Sequence, residues 1–461
     1  MSLLDNERTA CAADLRSRRG GVLLSLARNQ EAVEEYERAL ALLESLGDDV
    51  RFVETCARLA ILYTWATRFH DVRAVIDRAA QHAKDAPAAT QCIVLAMQAH
   101  SASAAGEIDR SLDLLEELHK IPENELPPAV IGFAADQEMF TRHGAGQLKF
   151  CEAAARKAIR VYQGSGDIWS PHSVELGLFW PPLLCGRPAE AEKLILEAIP
   201  RATRTGHDVA KSVALWVLAE VQVAKGDLEK AERAAREALG LMESCRFGWR
   251  FVVEISLGGI LLYRDRTEEA LSVLTKAAAG PASLCNGFPK GLLALGMTAA
   301  QMQGAANACT AVMRFLPRPG TSRGIGAWNA VLSVTEALCL SGRREDAGRL
   351  LGQAEKIAAE WDCNHAGFPV RTAAGIAAAC AGNWTRAEEY HRAAIARMKA
   401  VPYVTAQPIA RYWYADMLAE RRAAGDMEAA KALLHTSIAG SDDIGLALYA
   451  RLARQRLARI D

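Results

Sequence analysis

Residues 211–242 read KSVALWVLAEVQVAKGDLEKAERAAREALGLM, two helical patterns with a break between them. Val213, Leu215, Trp216, Val217, Leu218 and Val221 recur at spacings of three and four, the pattern of one amphipathic helix. Leu228, Ala231, Ala234, Ala235, Ala238, Leu239 and Met242 form a second such face, with charged residues opposite. Between them stands Gly226-Asp227, where glycine tolerates the left-handed conformation that ends a helix. The stretch reads as a helical hairpin that cannot bury its apolar faces alone and must stack on neighbours.

The same hairpin returns along the chain. A mostly small residue at the start of each second helix marks it: Ala32, Val72, Ser111, Cys151, Ala191, Ala231, Ala270, Ala308, Ala347, Ala387 and Ala430, at intervals of 38 to 43 residues. A single core stops growing near ~250–300 residues, whereas a repeat array has no such limit because each hairpin packs on its neighbours. Glycine recurs at the turn, as Gly106, Gly146, Gly186, Gly226, Gly342, Gly382 and Gly425. Twelve residues before the mark the first helix also carries a small residue in several hairpins, as in Gly20/Ala32, Gly258/Ala270, Gly296/Ala308 and Gly375/Ala387. Facing small residues let two helices approach closely. Bulkier residues after the mark, such as Tyr36 and Leu274, are expected to meet the next hairpin.

These residues predict an all-α protein: a right-handed α-solenoid of about eleven hairpins with a period of roughly forty residues. One continuous array is expected over residues 1–443, closed by a C-terminal capping helix over 444–461. That helix has Leu446, Leu448, Tyr449, Leu452 and Leu457 on one side, while Arg451, Arg454, Arg456 and Arg459 read as solvated surface.

The chain resembles the tetratricopeptide repeat. Leu257-Gly258 with Ala270, and Leu295-Gly296 with Ala308, carry the first and central parts of that pattern, and Ala32, Tyr36 and Ala39 match its second-helix part. The period departs from the usual ~34 residues. The longer unit is similar to the helical arm of bacterial signal-transduction ATPase regulators, namely maltose-type transcription activators and ATPase-fused class III adenylate cyclases. The segments Leu62–Phe69 and Tyr414–Arg421 carry that likeness. The nucleotide-binding loop and output module of those regulators have no counterpart here. The resemblance implies two roles: a scaffold binding a protein or peptide partner, or the inducer-binding sensor arm of a nucleotide-dependent regulator, with a small-molecule inducer.

Projecting the tetratricopeptide frame places Trp65, His100, Trp180, Trp216, Glu220, Tyr263, Gln301, Asn329 and Glu336 on the concave face, as candidate ligand- or partner-binding residues. Aromatic rings with a few polar groups suit peptide or small-ligand binding.

Other features narrow the function. Lys plus Arg number 54 against 55 Asp plus Glu, a net charge of −1 that offers no nucleic-acid surface. The eleven cysteines stand as singletons without a C-x-x-C pair, the usage of a reducing cytosol, and no apolar run reaches the ~20 residues of a membrane helix. A cytoplasmic protein is expected. The hydrolase, zinc-protease and dinucleotide motifs are missing, so no catalytic residue, metal or cofactor is expected. Three irregular places remain. Phe179-Trp180-Pro181-Pro182 should kink or stop a helix. Lys120 to Pro128 reads as a long connecting loop, and Cys285–Pro289 and Cys363–Pro369 as related loops whose Phe-Pro pairs open helices. A Cys363/His365 nucleophile pair is formally available in the second of these loops.

Overall fold

The computed structural model describes residues 3–25, 28–165, 174–281, 283–317, 324–364 and 367–461. Among the described residues the regular structure is helical, with no β-strand, and successive helices pair as antiparallel hairpins. The chain divides into two compact units. The first comprises residues 1–178, 198–211 and 241–249, and the second residues 179–197, 212–240 and 250–461. His365, proposed as a partner for Cys363, lies outside the described residues.

The hairpin chemistry read from the sequence is present in the backbone. Each of the seven turn glycines has positive φ, from 70° at Gly146 to 86° at Gly186. At Gly226 the amide bonds Val223 O, and the next amide, of Asp227, bonds Gln222 O at 3.0 Å, so the last helical carbonyls are satisfied by the reversing chain. Where the hairpin lacks glycine, Thr67, Asp265 and Gln301 take the same left-handed conformation, with φ of 57°, 57° and 54°. The Asp227 carboxylate then opens the second helix by accepting from Lys230 N at 3.0 Å.

The marker residues are buried because the two helices of a hairpin touch there. All but Ala308 are 1% exposed or less. The glycines of the first helix have a different partner from the one expected. A Cβ on Gly20 would lie 2.8 Å from the Tyr36 ring, one on Gly375 would lie 2.7 Å from the His391 ring, and one on Gly258 would run into Leu274. Tyr36, Leu274 and His391 each stand four residues after a mark, so the large side chain fills the notch in its own hairpin, and His391 also meets the next one by stacking on Tyr414 at 5.8 Å.

In the first unit, Asp49–Trp65 pairs with Phe69–Ala83, Ala88–Ala104 with Ile108–Leu118, and Pro128–Gly144 with Leu148–Ser165. Phe52, Leu59, Leu62, Val75, Ile76 and Ile93 form a continuous core between the first two of these pairs. Lys120–Pro128 is a connection containing a short 3-10 turn, Glu123–Glu125, with Pro128 opening the next helix. In the second unit, Arg250–Tyr263 pairs with Thr267–Ala278, Val370–Cys380 with Trp384–Ala400, and Ala406–Arg421 with Asp426–Asp443. Helix Leu176–Leu184 runs through Pro181 and Pro182, so the expected early stop does not occur. The carbonyl of Gly177, deprived of a donor by Pro181, faces the Cys151 thiol at 3.9 Å. Pro289 lies in the first turn of helix Phe288–Ala299, and Pro369 immediately precedes Val370–Cys380, as the Phe-Pro pairs predicted.

Contacts are not confined to neighbouring hairpins. In the first unit Gly248 N donates to Trp65 O at 2.9 Å, and Trp249 Nε1 donates to Thr64 O at 2.8 Å across 185 residues of chain. In the second, Asp362 N donates to Leu184 O at 3.0 Å, Val404 N to Ala224 O at 2.7 Å, and Thr405 Oγ1 to Val223 O at 2.5 Å. The acceptors are end-of-helix carbonyls, which no helix can satisfy internally. The C-terminal helix Ala447–Ile460 uses arginine for the same purpose. Arg451 grips Asp265 at 2.7 and 2.8 Å and donates to Ala299 O at 3.1 Å. Arg456 pairs with Asp416 at 2.9 Å and with Glu420 at 2.5 Å. These two arginines, read from sequence as solvated surface, are anchors instead.

Candidate functional site

Inside the second unit the first helices converge on two buried carboxyls. Helix Asp208–Lys225 places Trp216 and Glu220 four residues apart on one face, and helix Arg250–Tyr263 places Ser256 and Tyr263 seven apart. Trp216 Nε1 donates to Ser256 Oγ at 2.8 Å, and the Ser256 hydroxyl donates to Glu220 Oε1. Trp180 packs edge-on against Trp216 with ring centres 4.9 Å apart. Glu220 Oε2 is buried and has no hydrogen-bond partner among the described residues. Burial pushes the Glu220 carboxyl up to about 8, only partly offset by the Ser256 hydroxyl, and among the described residues no cation stands by to balance the charge.

The second carboxyl is Glu336, on helix Ile325–Leu340. Trp413 Nε1 donates to its Oε1 at 3.1 Å, and the Tyr449 hydroxyl donates to the same oxygen. Tyr449 lies edge-on to Tyr263 at 6.0 Å and to Tyr412 at 5.8 Å, so three tyrosines and a tryptophan enclose the carboxyl. Burial raises Glu336 to about 7, against the lowering effect of its two donors. Asn329, seven residues earlier on the same helix, spends its amide NH2 on Ile325 O at 2.8 Å and leaves Oδ1 without a partner.

Of the residues singled out from sequence, Trp180, Trp216, Glu220, Tyr263, Asn329 and Glu336 thus lie in the interior of the second unit, all 7% exposed or less. Trp65 and His100 belong to the first unit. Trp65 is half-buried against Phe247 at 6.2 Å, edge to face. His100 is buried, stacks on Phe140 at 4.9 Å, meets Gln137 Oε1 through Nδ1, and is driven down to about 4 by burial. Gln301 is on no helix face: it is the exposed left-handed residue of a hairpin turn.

Ser256, Tyr412, Trp413 and Tyr449 were not anticipated. Ser256 carried a usable signal, since it follows Trp216 by 40 residues and so occupies the same place one repeat later. Trp413 and Tyr449 stand 77 and 113 residues from Glu336, and no repeat register points from one to the other. Among the described residues no group of three or more His, Cys, Asp or Glu side chains is arranged to hold a metal ion. Nor is any helix among them long and apolar enough to cross a membrane.

Comparison with solved structures agrees with the hairpin architecture. A Rap protein complexed with Competence and Sporulation Factor aligns with 84% of this chain and 98% of its own, at 11% identity and a TM-score of 0.55. The fold is a tetratricopeptide-like helical repeat. Two further structures align less well. One is a signal transduction ATPase with a tetratricopeptide repeat sensor from Pyrococcus horikoshii, with 13% identity, a TM-score of 0.39, and coverage of 83% of this chain and 54% of that one. The other is yeast Tom70, with 13% identity, a TM-score of 0.34 and 96% of each chain. No protein-family model matches the sequence, and no curated protein is a detectable sequence relative.

Proposed function

We propose that this chain is a non-enzymatic binding scaffold for a protein or peptide, and that the inner face of the second unit receives the partner. The observation that carries this reading is the pair Glu220 and Glu336. Two carboxyls are buried among Trp180, Trp216, Tyr263, Trp413 and Tyr449, and among the described residues no cation pairs with either and none bonds Glu220 Oε2. Burying such groups costs stability that a core of apolar side chains would not lose. A partner that supplies an arginine, lysine or amide donor recovers it, and aromatic walls supply contact area around the anchor. Across this face Val404 N and Thr405 Oγ1 bond the carbonyls of Ala224 and Val223, Arg451 pairs with Asp265, and Tyr449 packs edge-on to Tyr263. The Rap protein of similar fold was crystallised with a signalling factor, which supports the same kind of role here.

The test is thermal denaturation of the full chain against a library of short peptides rich in Arg, Lys, Trp and Tyr. Binding to the folded state raises the melting temperature by mass action. A peptide that stabilises the native chain and not the Glu220→Gln, Glu336→Gln variant supports the proposal. Stabilisation that persists in the variant, or none across the library, defeats it. Circular dichroism confirms that the variant is folded.

A further inference from the structure

Of the eleven cysteines, Cys339 and Cys380 place their sulfur atoms 3.7 Å apart. Cys339 is one residue from the end of helix Ile325–Leu340 and Cys380 is the last residue of Val370–Cys380. They are 41 residues apart, so two adjacent hairpins offer a thiol at the same level of the stack. Neither is deeply sequestered; both are half-buried at the hairpin turns. We propose that Cys339 and Cys380 form a redox modification site, a dithiol that closes to a disulfide when the protein meets a peroxide and reopens with a thiol reductant.

Three features support it. The two sulfurs have only to close from 3.7 Å to a bond of ~2.05 Å. The backbone beneath is held firmly, since a Cβ on Gly348 would lie 3.0 Å from Ala381 N and 3.1 Å from Cys380 C. The Arg344 guanidinium stands 3.8 Å from Cys339 Sγ and favours a thiolate over a thiol at the pair. The shared hydrogen bond splits the two sulfurs: it holds Cys380 below the ordinary thiol range and Cys339 well above it. At Cys380 the Arg344 charge acts more strongly than either Asp416 or Glu420, whereas at Cys339 the Asp416 carboxylate raises the thiol by more than Arg344 lowers it.

The chemistry balances with hydrogen peroxide as oxidant. A thiolate of the pair attacks one peroxide oxygen, the O–O bond breaks, and hydroxide leaves to take up the proton that the thiol gave. The second sulfur then attacks the sulfenic sulfur, the S–O bond breaks, and water leaves. Two thiols are oxidised to one disulfide, and one peroxide is reduced to two waters. The closed loop staples helix Ile325–Leu340 to Val370–Cys380 three residues beyond Glu336. Oxidation therefore restrains the helix that presents this carboxyl.

The experiment treats the folded full chain with hydrogen peroxide, alkylates remaining thiols, digests without reductant and identifies peptides by mass. The expected product is a peptide pair linked through Cys339 and Cys380, lighter by two hydrogens, lost on dithiothreitol and absent from Cys339→Ser and from Cys380→Ser. Oxidised protein melts at a higher temperature than reduced protein, and neither serine variant shows the difference. Recovery of both cysteines as separately alkylated peptides, while the exposed Cys11 of the same sample is oxidised, overturns the proposal. So does a cross-link that forms equally fast in protein unfolded by urea, because the fold then contributes nothing.

Discussion

The inner helices of the first unit bury two imidazoles that lose proton affinity on burial, and those of the second bury two carboxyls that gain it. His100 and His143, on Ala88–Ala104 and Pro128–Gly144, are both pushed down to about 4 by burial. Glu220 and Glu336 are pushed up to about 8 and about 7 by the same cause. One physical effect, loss of hydration, drives both, and it always favours the neutral form. Its consequences for stability have opposite signs. A carboxyl raised on folding contributes stability at low pH that is lost as pH rises through the folded value. An imidazole lowered on folding contributes stability above its ordinary range that is lost as pH falls toward the folded value. The two units should therefore fail at opposite ends of the pH scale.

The largest effect expected is the alkaline one. Between pH 5 and pH 9 the second unit should lose on the order of 3–4 kcal/mol for each of the two carboxyls, at about 1.4 kcal/mol per tenfold change in proton affinity. Hydrogen exchange measured by mass spectrometry, corrected for intrinsic rates, should show peptides from Ile325–Leu340 opening while those from Ala88–Ala104 stay protected. The Glu220→Gln, Glu336→Gln variant should remove most of that loss, and equal opening of both regions would break the comparison.

The acid limb is next in size. As pH falls from 6.5 through about 4, peptides from Ala88–Ala104 and Pro128–Gly144 should lose on the order of 2–3 kcal/mol of protection. His391 sharpens this prediction. It lies in the second unit, pushed down to about 3 with neither ring nitrogen hydrogen-bonded, so the segment Trp384–Ala400 should join the acid response. If that segment instead follows Ile325–Leu340, position in the chain and not the buried group governs the behaviour.

Glycine substitutions probe packing without charge. Gly375→Ala and Gly20→Ala drive a methyl into the His391 and Tyr36 rings, and each should cost about 1–3 kcal/mol in urea denaturation. Gly382→Ala meets nothing within 4 Å but requires φ of 76°, so it should cost about 1 kcal/mol from backbone strain alone. Smallest of all is Arg233→Ala, which removes an exposed ion pair with Glu229 at 2.5 Å and should change stability in urea denaturation by less than about 0.5 kcal/mol.

The hairpins were legible because every signal they need is local. The 3.6-residue rhythm, the buried small mark and the turn glycine all act within one repeat, and the backbone shows each of them where the sequence put it. The notch left by Gly375 was legible as well, although its occupant was not. Which large residue fills a gap depends on how far the second helix rotates over the first, and spacing alone does not set that angle.

The sequence by itself determined the helices, their ends and the side of each that is apolar, because these follow from chain-local hydrogen bonding and periodicity. It also placed Glu220, Glu336 and Trp216 on inward-facing positions. Only the tertiary structure decided that these positions are covered, with Trp413 and Tyr449 over Glu336 and Arg451 locked on Asp265. The reason is cumulative geometry: each hairpin turns slightly on the last, and after about 180 residues the small rotations bring helix-end carbonyls within reach of donors that no local pattern announces.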